Sequence, residues 1–324
     1  MQADPLHIDS IIVDGHCDTL GAVEQGVRSL GERSEKGHID LPRLLDGGVT
    51  AQIFACFVPV SEYRRGATRH ALARVDAFLE ALEAYPEELV LATSSADIRR
   101  AKGEGKVAGI LGLEGAESLE GSLAVLRSFY RLGVRNLGLT WNHRNAVADG
   151  VMEGPKAAGL SGFGVQVIEE CNRLGMMIDV SHLAPAGISD VLETSQHPIV
   201  ASHSNARACF DHVRNLTDSQ IEGIVANGGL IGVTFVNAFL HHPMAEASIE
   251  HVLDQIDYLV SVAGPDHIMI GSDFDGCTPP KDLPDVTYYP NLTTGMLARG
   301  HDEITIRKIL GLNFLRVFEA VTGG

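Results

Sequence analysis

Eight short runs rich in valine, isoleucine and leucine recur along the chain, and they restrict its possible folds more than any other feature. Most of them are nearly continuous in apolar residues, as expected of parallel strands buried on both faces of a sheet. The runs cover residues 11–14, 50–57, 107–113, 134–140, 176–180, 199–202, 230–235 and 268–272. The sequence therefore predicts eight buried parallel strands.

Segments with helical spacing lie between most of these runs. They cover residues 64–85, 122–132, 164–174, 185–194, 218–226 and 249–262, and a last one at about 302–321 follows the eighth run. Strand and helix alternating eight times is the pattern of an α/β fold, the (β/α)8 TIM barrel, with a doubly wound open sheet as the alternative. No linker-like segment divides the sequence, so we predict one barrel domain over residues 1–324 with a C-terminal helical segment.

The charge balance narrows the possible partners. The chain has 42 Asp and Glu against 25 Lys and Arg, a net charge of −17. Such an acidic chain repels nucleic acid and anionic membranes, so the expected partner is a small molecule or a second copy of the chain. The sequence shows no secretory signal, no long apolar stretch and no Cys-x-x-Cys pair. We therefore expect a cytoplasmic protein with reduced cysteines.

Side chains that can bind a metal follow five of the runs. The carboxyl ends of parallel strands meet at one face of a barrel, so these side chains should converge there. The first two are two positions apart, which places both on one face of an extended chain. The set contains three histidines and three carboxylates: His16, Asp18, Glu114, His182, His203 and Asp273.

The composition of this set points to divalent cations. Several acids buried together cost free energy unless positive charge compensates them. Imidazole and carboxylate ligands without a thiolate favour Zn²⁺, with Mn²⁺, Fe²⁺ or Co²⁺ as alternatives. One glutamate with two pairs of ligands beside it indicates a bridged two-metal site, with the ions about 3.5–4 Å apart.

The chain also resembles a known family over nearly its whole length, the membrane (renal) dipeptidases, a metal-dependent branch of the amidohydrolase superfamily. The resemblance includes Val-Asp-Gly-His-Cys-Asp at 13–18, Gly-Leu-Glu-Gly at 112–115, Ser-His-Ser at 202–204 and Gly-Ser-Asp-Phe-Asp-Gly at 271–276. It continues through Tyr-Pro-Asn-Leu at 289–292 and Asn-Phe-Leu-Arg-Val-Phe-Glu at 313–319. As a set, these segments are highly specific.

The resemblance implies a metal-binding role for five residues of this chain. His16 and Asp18 would hold one Zn²⁺, and His182 and His203 would hold the other. Glu114 and a hydroxide would bridge the two ions. The resemblance also implies a homodimer.

The resemblance further implies the reaction. The hydroxide would attack the carbonyl of a dipeptide, with tolerance for a D residue at its C-terminal position, and Asp273 would move the proton to the leaving amine. Arg214, eleven residues after His203, would bind the carboxylate of the substrate. The predicted function is a zinc-dependent dipeptidase. Another hydrolase on the same metals, a deaminase, lactonase or phosphoesterase, is the alternative.

One segment departs from the family pattern. Many members carry a histidine directly after the Leu-Thr that ends the fourth run, where it polarises the carbonyl of the substrate. Here Trp141, Asn142 and His143 follow that Leu-Thr pair. Either His143 takes this role from two residues further on, or Trp141 shapes the substrate pocket and the metal alone polarises the carbonyl. Asn142 is assigned with Trp141 to substrate binding.

Overall fold

A computed structural model describes residues 3–59 and 66–323, and its strands match the eight apolar runs with one addition. The addition is the third strand, which the apolar pattern does not predict. The strands are β1 (Val13–Cys17), β2 (Ala51–Phe57), β3 (Leu89–Leu91), β4 (Val107–Glu114), β5 (Val134–Gly138), β6 (Met177–Asp179), β7 (Val200–Ala201), β8 (Leu230–Val233) and β9 (Ile268–Ile270).

Eight of these strands form a closed parallel barrel in the order β2-β1-β9-β8-β7-β6-β5-β4, and pairing of β2 with β4 closes it. β3 pairs with the first residues of β4, next to the segment that β5 joins further along. The predicted (β/α)8 barrel is confirmed, and its carboxyl-terminal strand ends share one face.

Helices cover the outside of the barrel, and none within the described ranges has both the length and the apolarity needed to cross a membrane. They are α1 (Pro5–Asp9), α2 (Thr19–Glu24), α3 (Leu41–Asp46), α4 (Ala67–Ala84), α5 (Ser95–Glu104), α6 (Leu123–Arg131), α7 (Gly162–Leu174), α8 (Pro185–Thr194), α9 (Asp218–Ala226), α10 (Asn237–Leu240), α11 (Ile249–Ala263), α12 (Tyr289–Ala298), α13 (Glu303–Arg307) and α14 (Asn313–Thr322).

Local sequence explains where several helices begin and end. The Ser161 hydroxyl caps the start of α7, and Gly175 ends that helix in the left-handed conformation that favours glycine. Thr217 and Gln220 form a reciprocal cap at the start of α9. The first helical segment predicted, 64–85, includes residues 64 and 65, which lie outside the described residues.

The last helix closes the amino-terminal end of the barrel. Phe314 and Phe318 of α14 pack in one buried cluster with residues that begin strands, including Val13 and Met177. Arg316 at the edge of this contact donates to the backbone carbonyls of Gly228 and Asp266. One end of the barrel is therefore filled by apolar side chains, and the other carries the polar residues described next.

Candidate metal centre

A β-bulge aims His16 into the barrel mouth. Asp14 pairs with Gln52 and Cys17 with Phe54, so three steps along β1 face two along β2. Bulges of this kind redirect side chains and are common next to active sites. The imidazole Nε2 of His16 comes to 3.5 Å from the Glu114 carboxylate and 3.6 Å from that of Asp18.

Glu114, the last residue of β4, lies at the centre of the group. Its Oε2 atom faces His16, whereas its Oε1 atom lies 3.1 Å from Nε2 of His182 and 3.8 Å from Nε2 of His203. The side chain is 8% exposed. The two oxygens thus point toward two different sets of nitrogen atoms, which is the arrangement that a bridging carboxylate requires.

Two of the converging residues adopt left-handed backbone conformations. φ is +67° at His182 and +63° at Asp273, a region that non-glycine residues rarely adopt and that often occurs at functional sites. A carboxylate oxygen of Asp273 lies within 4.8 Å of possible ligand atoms of His16 and Asp18. A side chain at Gly276 would collide with the carboxylates of Asp18 and Asp273, so any larger residue here would displace these two groups.

The carboxylates strongly perturb one another. Burial raises the pKa of Glu114 to about 7, and the neighbouring Asp18 adds to the rise. Burial and the same neighbour raise the pKa of Asp273 well above its ordinary value. Burial lowers the pKa of His16, but Glu114 and Asp18 outweigh that effect and raise it well above normal. The group is an excess of buried negative charge that positive charge would stabilise.

The other two histidines show the opposite perturbation. Burial lowers the pKa of both His182 and His203 well below the ordinary value, and the positive charges of His16 and Arg214 add to the shift. Both imidazoles are therefore neutral at pH 7, and neutral imidazole is the form that binds metals.

The donor atoms fit divalent cations. Ligand atoms of His16, Glu114 and His203 lie within 4.8 Å of one another, as do those of His16, Asp18 and Asp273. Nε2 of His16 and Oδ1 of Asp18 are buried and have no hydrogen-bond partner among the described residues. Nitrogen and oxygen donors in this number suit Zn²⁺ or a similar ion.

Arg214 is buried beside this group. Its Nη2 donates to the backbone carbonyl of His203 at 3.1 Å, and its buried Nε has no hydrogen-bond partner among the described residues. Burial lowers the pKa of Arg214 to about 10, although Asp273 and Glu114 oppose the shift. The guanidinium is thus a positive group beside the carboxylates, and its Nε hydrogen is among the donors that no described residue accepts.

The segment after β5 places its three predicted residues differently. Trp141 lies between Phe57 and His182, with ring centroids 5.2 and 6.0 Å away. Asn142 contacts His182 directly, with Oδ1 2.8 Å from Nδ1. The structure does not bring His143 into the group, because its side chain is 53% exposed and its Nδ1 lies 3.6 Å from Glu153. Carbonyl polarisation by His143 would require this segment to move.

Three further aspartates support the centre, and sequence reasoning gave them no role. Asp14 accepts hydrogen bonds from Ser272 and Tyr289, and Asp179 accepts from Ser202. Asp275 accepts from Thr19, Arg28 and the backbone of His38. A signal existed for the first two, since each is an acid at the end of an apolar run and two or three residues before a predicted ligand.

A closed parallel barrel with histidines and carboxylates at its carboxyl-terminal mouth is the architecture of a metalloenzyme. The profile of the membrane dipeptidases, peptidase family M19, matches residues 1–323. The chain belongs to the membrane dipeptidase family, as the sequence motifs predict.

Individual relatives agree with this assignment. Dipeptidase 3 of Mus musculus is 38% identical over 331 residues; the match covers 99% of this chain but 66% of that protein, so the chain spans just under two thirds of its length. A metallo peptidase from Rhodobacter sphaeroides, liganded with a phosphinate mimic of the dipeptide L-Ala-D-Ala, is 33% identical and has a TM-score of 0.91. The match covers 97% of this chain and 100% of that one. A second metallo peptidase, dipeptidase AC, is 34% identical and has a TM-score of 0.92, and the match covers 97% of this chain and 99% of that one.

Proposed function

We propose that this protein is a zinc-dependent dipeptidase with two metal ions per chain. The observation that carries the proposal is the position of Glu114, with one carboxylate oxygen toward His16 and the other toward His182 and His203. A buried arginine next to this carboxylate adds a binding point for a substrate that ends in a carboxylate. Family membership supports the same reaction.

Five side chains of the centre are assigned to metal binding. His16 and Asp18 would hold one ion, His182 and His203 would hold the other, and Glu114, which lies between the two sets of nitrogen atoms, would serve both. Bound divalent ions would supply Lewis-acid polarisation of the peptide carbonyl and activation of water at neutral pH.

The remaining polar groups bind the substrate and transfer protons. Arg214, whose Nε has no partner among the described residues, binds the substrate carboxylate, and Trp141 with Phe57 forms an aromatic wall beside His182. Asp273 accepts a proton from the attacking water and then delivers it to the amine nitrogen that leaves. Asn142 contacts His182 rather than facing outward, so its part in substrate binding is at most indirect.

The substrate class follows from the buried guanidinium of Arg214. One guanidinium next to the metal centre suits a peptide whose carboxylate is one residue away from the scissile bond. The Rhodobacter sphaeroides relative was solved with a mimic of L-Ala-D-Ala, which supports dipeptides with a C-terminal D residue as substrates here. The homodimer and the cytoplasmic location stay predictions.

A substrate screen tests the proposal. The protein loaded with Zn²⁺ should release free amino acids from dipeptides in a panel of L-L, L-D and D-L compounds. A chelator should abolish this activity and Zn²⁺ should restore it. Turnover of a lactone, a phosphoester or a deaminase substrate, with none of the dipeptides, would instead support the alternative hydrolase.

Replacing Arg214 by methionine should raise KM for dipeptides by about 10- to 100-fold, because a hydrogen bond between charged groups is lost. Bound metal should not change. Steady-state kinetics and metal analysis check this expectation. The matched control is Arg207→Met, since Arg207 is a nearby arginine whose Nε pairs with Asp211. An equal loss by Arg214→Met on a C-terminally amidated dipeptide would show that Arg214 does not bind the carboxylate.

A further inference from the structure

The two histidines of the second ligand pair each have their Nδ1 atom in contact with a neighbouring polar group. Nδ1 of His182 lies 2.8 Å from Oδ1 of Asn142, and Nδ1 of His203 lies 2.8 Å from the Ser202 hydroxyl. The ring nitrogens on the other side, the two Nε2 atoms, are 2.8 Å apart. Which nitrogen carries the hydrogen therefore decides whether this pair can bind a metal.

The Ser202 contact has a defined direction. Ser202 donates its hydroxyl hydrogen to Oδ2 of Asp179. Since that hydrogen is already used, the hydroxyl oxygen can only accept from His203, so Nδ1 of His203 must carry the hydrogen. Asp179 itself is buried and held by the backbone N–H groups of Ser181 and Ser202, which donate to Oδ1.

The Asn142 contact has the same effect on His182. Its side-chain oxygen accepts a hydrogen bond, so the hydrogen of His182 lies on Nδ1. Backbone contacts fix this pair, because Val151 N–H donates to the His182 carbonyl and Met152 N–H donates to the Asn142 carbonyl. Both Nε2 atoms are thus left to bind a metal on the Glu114 side, where they lie 2.8 Å apart. Lone pairs this close to one another and to a carboxylate repel, and a bound cation relieves that repulsion.

We infer that Asn142 and Asp179 are positioning residues, which fix His182 and His203 in the metal-binding tautomer, the latter through Ser202. The inference rests on the proposed metal centre. Groups that hold the second ring nitrogen of a ligand histidine orient the ring, and their removal typically costs about 10- to 100-fold in metal affinity. Among the described residues, Asn142 and Asp179 make no such hydrogen bond toward His16 or Asp18. Only the metal bound by His182 and His203 should therefore depend on Asn142 and Asp179.

The metal-free protein provides a test that needs no activity. With ¹⁵N-labelled histidine, both His182 and His203 should show a protonated Nδ1, with the signals assigned through His182→Gln and His203→Gln variants. A wild-type protein in which either Nδ1 lacks its proton would overturn the inference. If both protons are present but the protein binds fewer than two metals, the proposed metal centre fails and the tautomer inference does not.

Asp179→Asn should reverse the hydrogen-bond chain. The asparagine oxygen would keep the Oδ1 position, where two backbone N–H groups donate, so the amide nitrogen would take the Oδ2 position. An amide nitrogen can only donate, so the Ser202 hydroxyl would accept from it and donate to His203. Nδ1 of His203 would then lose its hydrogen, and one of the two metals should bind about 10- to 100-fold more weakly in competition with a chelating dye. Should this variant not fold, Ser202→Ala removes the same acceptor. Unchanged binding in the variant that folds contradicts the role of Asp179.

Asn142 is tested by a removal, a rescue and a control. Asn142→Leu should weaken the same single metal, whereas Asn142→Asp keeps an acceptor and should retain binding. Asn172→Leu removes a similarly part-buried asparagine, whose side chain accepts from Gln196 far from the mouth, and should leave both metals bound. If the leucine and aspartate variants at 142 lose metal equally, the hydrogen bond is not what matters and the inference is wrong.

Discussion

Replacing Asp273 by asparagine is expected to lower kcat by about 10²- to 10⁴-fold while both metals stay bound. The substitution keeps the size and much of the hydrogen bonding of the side chain but removes its ability to accept a proton, and general acid–base catalysis is typically worth that factor. Asp273 is in reach of the reacting atoms, because its carboxylate lies within 4.8 Å of ligand atoms of His16 and Asp18. Single-turnover kinetics on a dipeptide measures the effect.

The geometry around Asp273 also permits a second role, which the same variant distinguishes. A carboxylate this close to His16 and Asp18 could bind a metal instead of moving a proton. In that case Asp273→Asn should lose a metal together with its activity. Metal analysis and the affinity of a competitive inhibitor separate the two outcomes, and near-normal kcat with both metals bound would rule out both roles.

Glu114→Gln is expected to impair both metals together and to abolish measurable dipeptidase activity. A glutamine side chain carries no negative charge for either ion. Its amide nitrogen would also replace one of the two carboxylate oxygens, and so would face the imidazole of His16 or that of His182. Metal content measured after dialysis should fall below one ion per chain. Loss of one ion with full retention of the other would show that Glu114 serves a single site.

A neighbouring glutamate supplies the control for that experiment. Glu117 lies three residues further on and is partly buried, and burial raises its pKa, but it is not in the group of ligand atoms. Glu117→Gln should therefore keep both metals. If it loses them to the same extent as the variant at 114, the effect comes from disturbing the segment after β4.

The strand pattern was predictable because parallel barrel strands are buried on both faces and appear as continuous apolar runs. β3 escaped because three residues, Leu89–Leu91, are too few to show a period, and they pair with only the first part of β4. The fourth run, 134–140, is longer than β5, which ends at Gly138, because the buried Leu139 and Thr140 continue the run beyond the last strand pairing.

The direction of the side chains at the mouth was less predictable. Alternation in an extended chain suggests that His16 and Asp18 share a face, but a bulge in β1 and the turn into α2 place them. The positive φ values at His182 and Asp273 depend on contacts between strands that are distant in sequence. For the same reason, the sequence left open whether His143 or Trp141 takes the place of the family histidine.

The centre joins the two ends of the barrel sequence. β1 pairs with β9, the Ser272 hydroxyl and N–H donate to Asp14 across 258 positions, and the Phe274 carbonyl accepts from the N–H of Asp18. During translation, residues 14–18 leave the ribosome long before residues 268–276 are made. A nascent chain therefore exposes His16 and Asp18 without the partners that orient them, and metal capture must wait until the last strand has emerged and closed the ring.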